Sequence, residues 1–565
     1  MPATLLARDL TLSFGDHLVL ESVDVTLAGR ARMGVVGPNG TGKTSLLRIL
    51  SGALPPDRGT VELAPPTATV GYLPQEPERR AGETVRAFLA RRTGVVDASD
   101  ELERATVTVA TDHDRYDRAL QRWLSLGGAN LDTRIGPVWS SLGLDERFLD
   151  QEMMSLSGGQ AARASLGAIL LSQFDVFLLD EPTNDLDFDG LERLEDFLDG
   201  LTGAAAIVSH DRAFLERTIT TVLELDENSH CGRLFDGGWL AYLDERATAR
   251  RHAEVAYDEY RDKRRTLEDR ARAQRQWAVQ GVRKEKKDPK DNDKAQRDFR
   301  LNRTEKQAAK VRVTEKALDR LDEIDKPWEG WQLQLSIASA PRSGAVVARL
   351  DQAVVRRGDF VLGPLDVEIG WAERVAILGP NGSGKTTLLG ALLGRIPLES
   401  GTQWLGPGVA VGEIDQARAS LTTDSSVLDA FVRASGMDRQ QDARSLLAKF
   451  GLGPGHVRRR TTSLSPGERT RAVLALLMAR GTNCLVLDEP TNHLDLTAIE
   501  QLEQALDTFD GTLLLVTHDR RLLDAVRVDR TITLPGRADR RGRHENSRND
   551  AASGSRSPRR SDTAV

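Results

Sequence analysis

Short apolar runs ending on a polar or glycine-rich corner recur along this chain. Val35-Val36 and Ala376-Ile377-Leu378 run into glycine-rich turns, and Ser45 to Leu50 and Thr387 to Leu393 follow with helix-forming sequence. Val176-Phe177-Leu178-Leu179 and Cys484-Leu485-Val486-Leu487 each end on Asp-Glu-Pro. Ala206-Ile207-Val208-Ser209 and Leu514-Leu515-Val516-Thr517 each end on His-Asp. Continuous apolar runs bounded by turn residues predict buried strands, and the helices after them make the fold class α/β.

The same order of elements occurs twice. Lys43 and Lys385 are 342 residues apart, and Gln75 and Gln416 are 341 apart. Ser157 and Ser465, Asp180 and Asp488, and His210 and His518 are each 308 apart. The drop of about 33 residues places extra material in the first repeat, within 79–142. Asp112, Arg115, Tyr116, Ala119, Leu120, Trp123 and Leu124 fall at near-helical spacing there, which predicts a small helical subdomain. A difference in loop length accounts for the same offset.

Between the repeats the pattern changes. From Glu245 to Lys326 the chain is rich in Arg, Lys, Glu, Gln and Ala, all good helix formers. Lys287-Asp288-Pro289-Lys290-Asp291-Asn292 breaks it. Val255, Leu267, Val279 and Val282 before the break, and Val311, Leu318, Leu321 and Ile324 after it, predict two long helices folded back on each other. The expected boundaries are a first domain at 1–244, a linker at 245–327, a second domain at 328–536 and a disordered tail at 537–565 with almost no apolar residue.

Composition changes this picture in four places. At 565 residues the chain is long enough for two or three domains. No run of about 18 apolar residues occurs, and the first residues lack the shape of a signal peptide. Cys231 and Cys484 could pair, but reduced thiols are the expectation. The net charge is −7, yet Arg261 to Lys316 holds about 20 Lys/Arg against about 10 Asp/Glu. A basic tip suits a phosphate backbone, structured RNA in particular, and a solvated helical spacer has the same composition; charge alone leaves the two open.

The corners carry the chemistry. Gly37-Pro38-Asn39-Gly40-Thr41-Gly42-Lys43-Thr44 and Gly379-Pro380-Asn381-Gly382-Ser383-Gly384-Lys385-Thr386 are P-loops. Their glycines let backbone N–H groups wrap phosphate oxygens at a helix N-terminus, where Ser45 and Thr387 also lie. Lys43 and Lys385 reach the outer phosphates of a nucleoside triphosphate, and Thr44 and Thr386 offer hydroxyls to Mg²⁺. Asp180 and Asp488, at strand ends, would hold Mg²⁺. Glu181 and Glu489 are placed to orient or deprotonate water. His210 and His518, each 30 residues after its Asp, fit a γ-phosphate sensor. Gln75 and Gln416, by their matched spacing, would bridge metal and water.

Leu156-Ser157-Gly158-Gly159-Gln160 before a helix, with Asp180-Glu181, Leu186-Asp187 and His210, resembles the motif set of ATP-binding-cassette ATPases, and it recurs in the second repeat. The resemblance runs to about Leu534. It implies two P-loop ABC-type ATPase domains dimerised head to tail within one monomer. Site one would combine Lys43 with Ser465 and Gly467, and site two Lys385 with Ser157, Gly158 and Gly159. Pro466 stands where that family has glycine, and proline has no N–H and a fixed φ. The resemblance also implies an aromatic under adenine. Phe14 fits in the first repeat, and Val355-Arg356-Arg357-Gly358 has none.

Twin cassettes, no membrane domain and a basic linker look like the ABC-F subfamily. That resemblance implies a cytoplasmic ATPase joined by an antiparallel helical hairpin linker. It would bind the ribosome when closed on ATP, and its linker would approach large-subunit RNA and P-site tRNA. The 79–142 insertion matches the position of the subfamily's arm. Lys326-Pro327-Trp328-Glu329-Gly330-Trp331 resembles actinobacterial members, and its tryptophans read as packing residues. Antibiotic resistance by ribosome protection is the expectation. The alternatives are a general translation factor, the ATP-binding subunit of a transporter with a separate membrane partner, and a binding module with a vestigial ATPase.

Overall fold

The computed structural model describes residues 3–74, 79–227, 229–287, 316, 342, 344–358, 360–421, 423–464, 466–492 and 494–536. The chain forms two compact units, Met1–Trp239 with Leu333–Val565, and Leu240–Gln332. Both cassettes belong to the first.

The first cassette opens with β1 (Thr4–Phe14), β2 (His17–Ala28), β3 (Arg32–Val36), α1 (Lys43–Leu50), β4 (Arg58–Ala64) and β5 (Val70–Leu73). Four helices follow: α2 (Val85–Arg92), α3 (Val95–Val107), α4 (His113–Ser125) and α5 (Leu131–Ser141). It continues with α6 (Gly158–Leu171), β6 (Val176–Asp180), α7 (Phe188–Gly200), β7 (Ala204–Val208), α8 (Arg212–Thr218), β8 (Thr221–Leu225) and β9 (Gly232–Asp236). Strands β2-β1-β4 form an antiparallel sheet, and a second sheet has the order β5-β6-β7-β3-β8-β9, parallel except for β9. Every residue of β3, β6 and β7 is buried, as unbroken apolar runs require of strands covered on both faces. One core joins the antiparallel sheet, α1 and these strands.

After α9 (Gly238–Lys287), the second cassette repeats this plan. Its elements are β10 (Val346–Arg357), β11 (Phe360–Gly370), β12 (Arg374–Leu378), α10 (Lys385–Leu392), β13 (Ser400–Leu405), β14 (Val411–Glu413), α11 (Ile414–Leu421), α12 (Val427–Ser435) and α13 (Gln440–Lys449). Then come α14 (Pro466–Ala479), β15 (Cys484–Asp488), α15 (Leu496–Asp507), β16 (Thr512–Val516), α16 (Arg520–Ala525) and β17 (Arg530–Thr533). Its sheets run β11-β10-β13 and β14-β15-β16-β12-β17. An arginine, buried in the first cassette and half-buried in the second, closes the base of each. Arg32 donates to the carbonyls of Leu198, Leu201 and Gly203 beyond α7. Arg374 donates to those of Val526 and Phe509. These bonds satisfy carbonyls left open at helix ends.

The extra length of the first cassette is narrower than 79–142. Isolated bridges pair Thr84 with Glu152 and Ser426 with Arg460, positions related by the two repeat offsets. Between them α2 answers α12 and α5 answers α13, so the added elements are α3 and α4. Asp112 caps α4 by accepting from Arg115 N at 3.0 Å, and Arg115 and Trp123 reach Glu101 and Ser99 on α3. Val107, 87% exposed, and Leu124 leave apolar surface on this hairpin.

Helix α9 begins before the charged stretch does, at Gly238, with Trp239 buried at its first turn. Arg250–Glu254, Lys263–Glu259 and Arg264–Glu268 pair along it at i,i+4 spacing. The expected second helix, the linker tip beyond Lys287, Trp328, Trp331 and the 537–565 tail lie outside the described residues. Cys231 is exposed, Cys484 is buried, and the two are not bonded. Among the described residues no helix is long and apolar enough to cross a membrane.

Candidate ATP sites

Each P-loop turns from a buried strand into a helix. Gly42 (φ 93°) and Gly384 (φ 97°) occupy the left-handed region just before Lys43 and Lys385. A Cβ there would stand 2.6 Å from Val19 and 2.7 Å from the Phe360 ring, so both conformation and space demand glycine. Lys43 donates to the carbonyls of Gly37 and Pro38 at 2.7 and 2.9 Å, and Lys385 to that of Gly379 at 2.8 Å. Burial lowers the pKa of both lysines against the pull of Glu181 and Glu489.

Strands β6 and β15 deliver the acids beside these loops. Thr386 donates to Asp488 at 2.7 Å, and Tyr72 donates to Asp180 at 3.2 Å. Burial raises the Asp180 pKa, opposed by hydrogen bonds from Thr44 and Tyr72. One residue on, Glu181 (φ 51°) and Glu489 (φ 47°) adopt left-handed backbone, unusual for glutamate. Their N–H groups donate to Val208 and Val516 carbonyls at 2.9 Å, holding each residue to the neighbouring strand. Burial pushes both carboxyls up to about 7. Glu181 Oε2 is buried with no hydrogen-bond partner, an acceptor aimed into the cleft.

The histidines close each site differently. His210 Nε2 lies 3.1 Å from Glu181 Oε1, and burial lowers its pKa to about 3. His518 Nε2 lies 2.9 Å from Lys385 Nζ, which must donate to it, and 3.4 Å from Glu489. Burial, then Lys385, lowers the His518 pKa to about 4. Both rings are neutral at physiological pH.

The cassettes meet head to tail at these loops. Asp187, the N-cap of α7, accepts from Asn381 N at 2.8 Å, and Asn381 Nδ2 donates to Asp185 O at 2.6 Å. Asp495, the N-cap of α15, accepts from Asn39 N at 3.4 Å. A Cβ on Gly159 would stand 2.9 Å from Asn381 Cβ, so the start of α6 abuts the opposite P-loop. Ser157 caps α6 with Gln160 in a capping box. Pro466 takes the first position of α14, where proline fits but withdraws one N–H that Gly158 keeps in α6.

A cleft of about 520 Å³ is lined by Phe14, Asn39, Gly40, Gly42, Lys43, Thr44, Ser45, Asp180, Glu181 and His210. Gly158, Gly159, Asn381, Gly382, Glu489 and His518 line a second cavity of about 820 Å³. Asp180, Glu181 and His210 line this cavity too, so the glutamates and histidines of both repeats meet the Asn381 loop and the start of α6 there. Gln75 and Ser465 lie outside the described residues, as do the side chain of Gln416 and the surroundings of Gly467. The residue types present fit Mg²⁺: a hydroxyl bonded to a carboxylate at 2.7 Å in site two, and the same pair in site one.

Three neighbours escaped the sequence reading. Phe360 faces Arg357 across the β10–β11 turn and lies against Gly384, so an aromatic does stand beside the second P-loop. It was missed because the matching strand of repeat one carries its aromatic, Phe14, before the turn. Tyr72 has Glu413 as its repeat counterpart, so no recurrence marked it. Phe188, whose counterpart is Leu496, contacts His518 of the other cassette.

The ABC transporter family model matches residues 20–184 and 362–492. The chain is 35% identical over 533 residues to the tylosin resistance ATP-binding protein TlrC of Streptomyces fradiae, covering 91% of this chain and 94% of that one. It is 33% identical over 525 residues to the energy-dependent translational throttle protein EttA of Mycobacterium tuberculosis, covering 90% and 88%. The complex of archaeal ribosomal stalk protein aP1 with archaeal ribosome recycling factor aABCE1 contains a similar fold, with a TM-score of 0.53 at 19% identity over 95% of this chain and 92% of that one. The paired P-loops, their facing acids and these relatives place the chain in the ABC-F family of ATP-binding-cassette proteins, twin-cassette enzymes that bind and hydrolyse ATP.

Proposed function

We propose that this protein is a cytoplasmic ribosome-protection factor. It binds the ribosome with its cassettes closed on ATP and acts on the P site and peptidyl-transferase region through the linker that α9 begins. The observation that carries this reading is the pair of reciprocal contacts, Asp187 to the Asn381 loop and Asp495 to the Asn39 loop. They make closure of the cassettes and completion of both ATP sites one event. The relative named for tylosin resistance supports the drug-related role. The translational throttle relative supports a second reading, a general translation factor of the same family.

In this reading Lys43 and Lys385, with the loop amides from Gly37 to Thr44 and from Gly379 to Thr387, hold the phosphates of ATP. Ser157, Gly158 and Gly159 face the Lys385 site, and Ser465 and Gly467 face the Lys43 site. Phe14 stacks on adenine in site one, and Phe360 offers a ring in site two. Thr44 with Asp180, and Thr386 with Asp488, would hold Mg²⁺ together with Gln75 and Gln416; when bound it neutralises charge on the phosphate oxygens. Glu181 and Glu489 orient a water and take its proton as oxygen attacks the γ-phosphorus. The bond to the β-phosphate oxygen breaks and its electron pair leaves with ADP. His210 and His518, neutral and beside these carboxylates, position the γ-phosphate end. Loss of that phosphate reopens the cassettes.

The discriminating experiment is a bacterial translation extract inhibited by a macrolide. Purified protein with ATP is expected to restore peptide synthesis several-fold, and uninhibited extract is unaffected. Slowing or stimulation of uninhibited synthesis with no rescue would favour the general-factor reading.

A further inference from the structure

Helix α7 does more at the opposite site than its N-cap alone. Directly after Asp187, the half-buried Phe188 ring meets the His518 ring edge to face, with centroids 5.2 Å apart and planes at 72°. The Arg520 guanidinium, two residues beyond His518, lies 5.8 Å from the centre of the same ring. Arg520 also reaches Glu195 at 3.1 Å and Glu192 at 3.8 Å, both further along α7. One face of one helix therefore grips the P-loop, the histidine and the arginine of the other cassette's site.

The reciprocal arrangement is only partly present. Arg212 pairs with Glu503 on α15, as Arg520 pairs with Glu195 on α7, and all four positions follow the 308-residue offset. The ring does not follow it. Leu496 occupies the place of Phe188, and an aliphatic side chain offers neither a quadrupole nor a flat face to His210. Each histidine faces its own glutamate, His210 at 3.1 Å and His518 at 3.4 Å, and His518 Nε2 also lies 2.9 Å from Lys385 Nζ.

We infer that Phe188 is a positioning residue acting in trans on site two. It holds the His518 imidazole from the opposing cassette, so that turnover at site two requires the closed contact more strictly than turnover at site one. This rests on the reading of Glu181 and Glu489 as the water-activating residues of separate sites. The edge-to-face contact and the guanidinium stacked beyond it orient the ring, and a mis-set ring slows the chemical step without loosening ATP.

The test isolates the sites. Glu181→Gln leaves site two working, and Glu489→Gln leaves site one. Phe188→Leu, which copies the repeat counterpart, is expected to lower kcat about 3- to 10-fold in the Glu181→Gln protein, with KM for ATP unchanged within about 2-fold. Phe188→Tyr, which keeps the ring, should restore most of it. Turnover of the Glu489→Gln protein should not change. Equal slowing of both sites, or a rise in KM alone, would reduce Phe188 to interface packing and overturn the proposal, as would no effect at all. Full turnover in both single glutamine variants would instead strike down the site reading beneath it. Should either glutamine silence both sites, acid-quenched single turnover of the Phe188→Leu protein decides. One of the two bound ATP molecules must convert at the unaltered rate and the other slowly, and uniform slowing contradicts the inference.

Discussion

Replacing Glu181 and Glu489 together with glutamine is expected to lower ATP turnover by about 10²- to 10⁴-fold, the range assigned to a positioned general base. ATP affinity should stay within a few-fold, because the loop amides, Lys43 and Lys385 are untouched. Both carboxyl groups sit on strained backbone pinned to the neighbouring strand through Val208 and Val516. That strain fixes where the carboxylate can be and has no evident structural use, which marks a functional position. A steady-state phosphate-release assay beside an ATP-binding isotherm checks the result. Turnover within about 3-fold of the unaltered protein would remove both glutamates from the chemistry.

The same two substitutions should stabilise the nucleotide-free protein above neutral pH. Burial raises both carboxyls from 4.5 to about 7. Their neutral forms therefore contribute stability that is complete below about pH 4.5 and is lost as pH rises through 7. Glutamine has no proton to lose. The double variant should match the unaltered protein in thermal melts near pH 5 and exceed it at pH 8, by on the order of 3 kcal/mol per site. The histidines act in the opposite sense: held neutral in the fold down to about 3 and 4 against 6.5 when unfolded, His210 and His518 cost stability as pH falls below 6.5, and do so alike in both proteins. A difference independent of pH would mean that the carboxylates are charged and compensated in the folded state. In activity, kcat/KM of the unaltered protein should rise along an acid limb near 7 as the base ionises.

Much of this was readable from the chain alone, and the remainder shows what sequence pattern omits. The P-loops, Asp180, Asp488 and the glutamates were legible because each sits at the end of a buried strand, where four apolar residues and one acid make a recognisable corner. Their recurrence at two fixed offsets separated them from chance. Phe188 carried no such mark, because its partner belongs to the other cassette and its own counterpart is Leu496. Phe360 was hidden because the β10–β11 turn moves the aromatic from one strand to the other. The limits of the insertion were unclear for a related reason: α2 and α5 have counterparts in α12 and α13 that share position but no motif. The bridges Thr84–Glu152 and Ser426–Arg460 and the matching bonds from Val85 N to Gln151 O and from Val427 N to Arg459 O reveal the match.

The asymmetry of the sites was only half visible. Pro466 announced it in the sequence. The structure adds that proline stands at the first position of α14, so the helix forms and one amide donor is withdrawn. Among the described residues Phe188 and Tyr72 point the same way, since their repeat counterparts, Leu496 and Glu413, offer neither a ring nor a hydroxyl donor.

In the proposed function, ATP-driven closure of the cassettes creates the ribosome-binding form. The most direct test is sedimentation of the Glu181→Gln, Glu489→Gln double variant with purified ribosomes, in ATP or ADP and over a range of salt. Pelleting is expected with ATP and not with ADP, and it should weaken as salt rises if the basic linker meets phosphate backbone as proposed. Failure to pellet, by a protein shown to bind ATP normally, would contradict it.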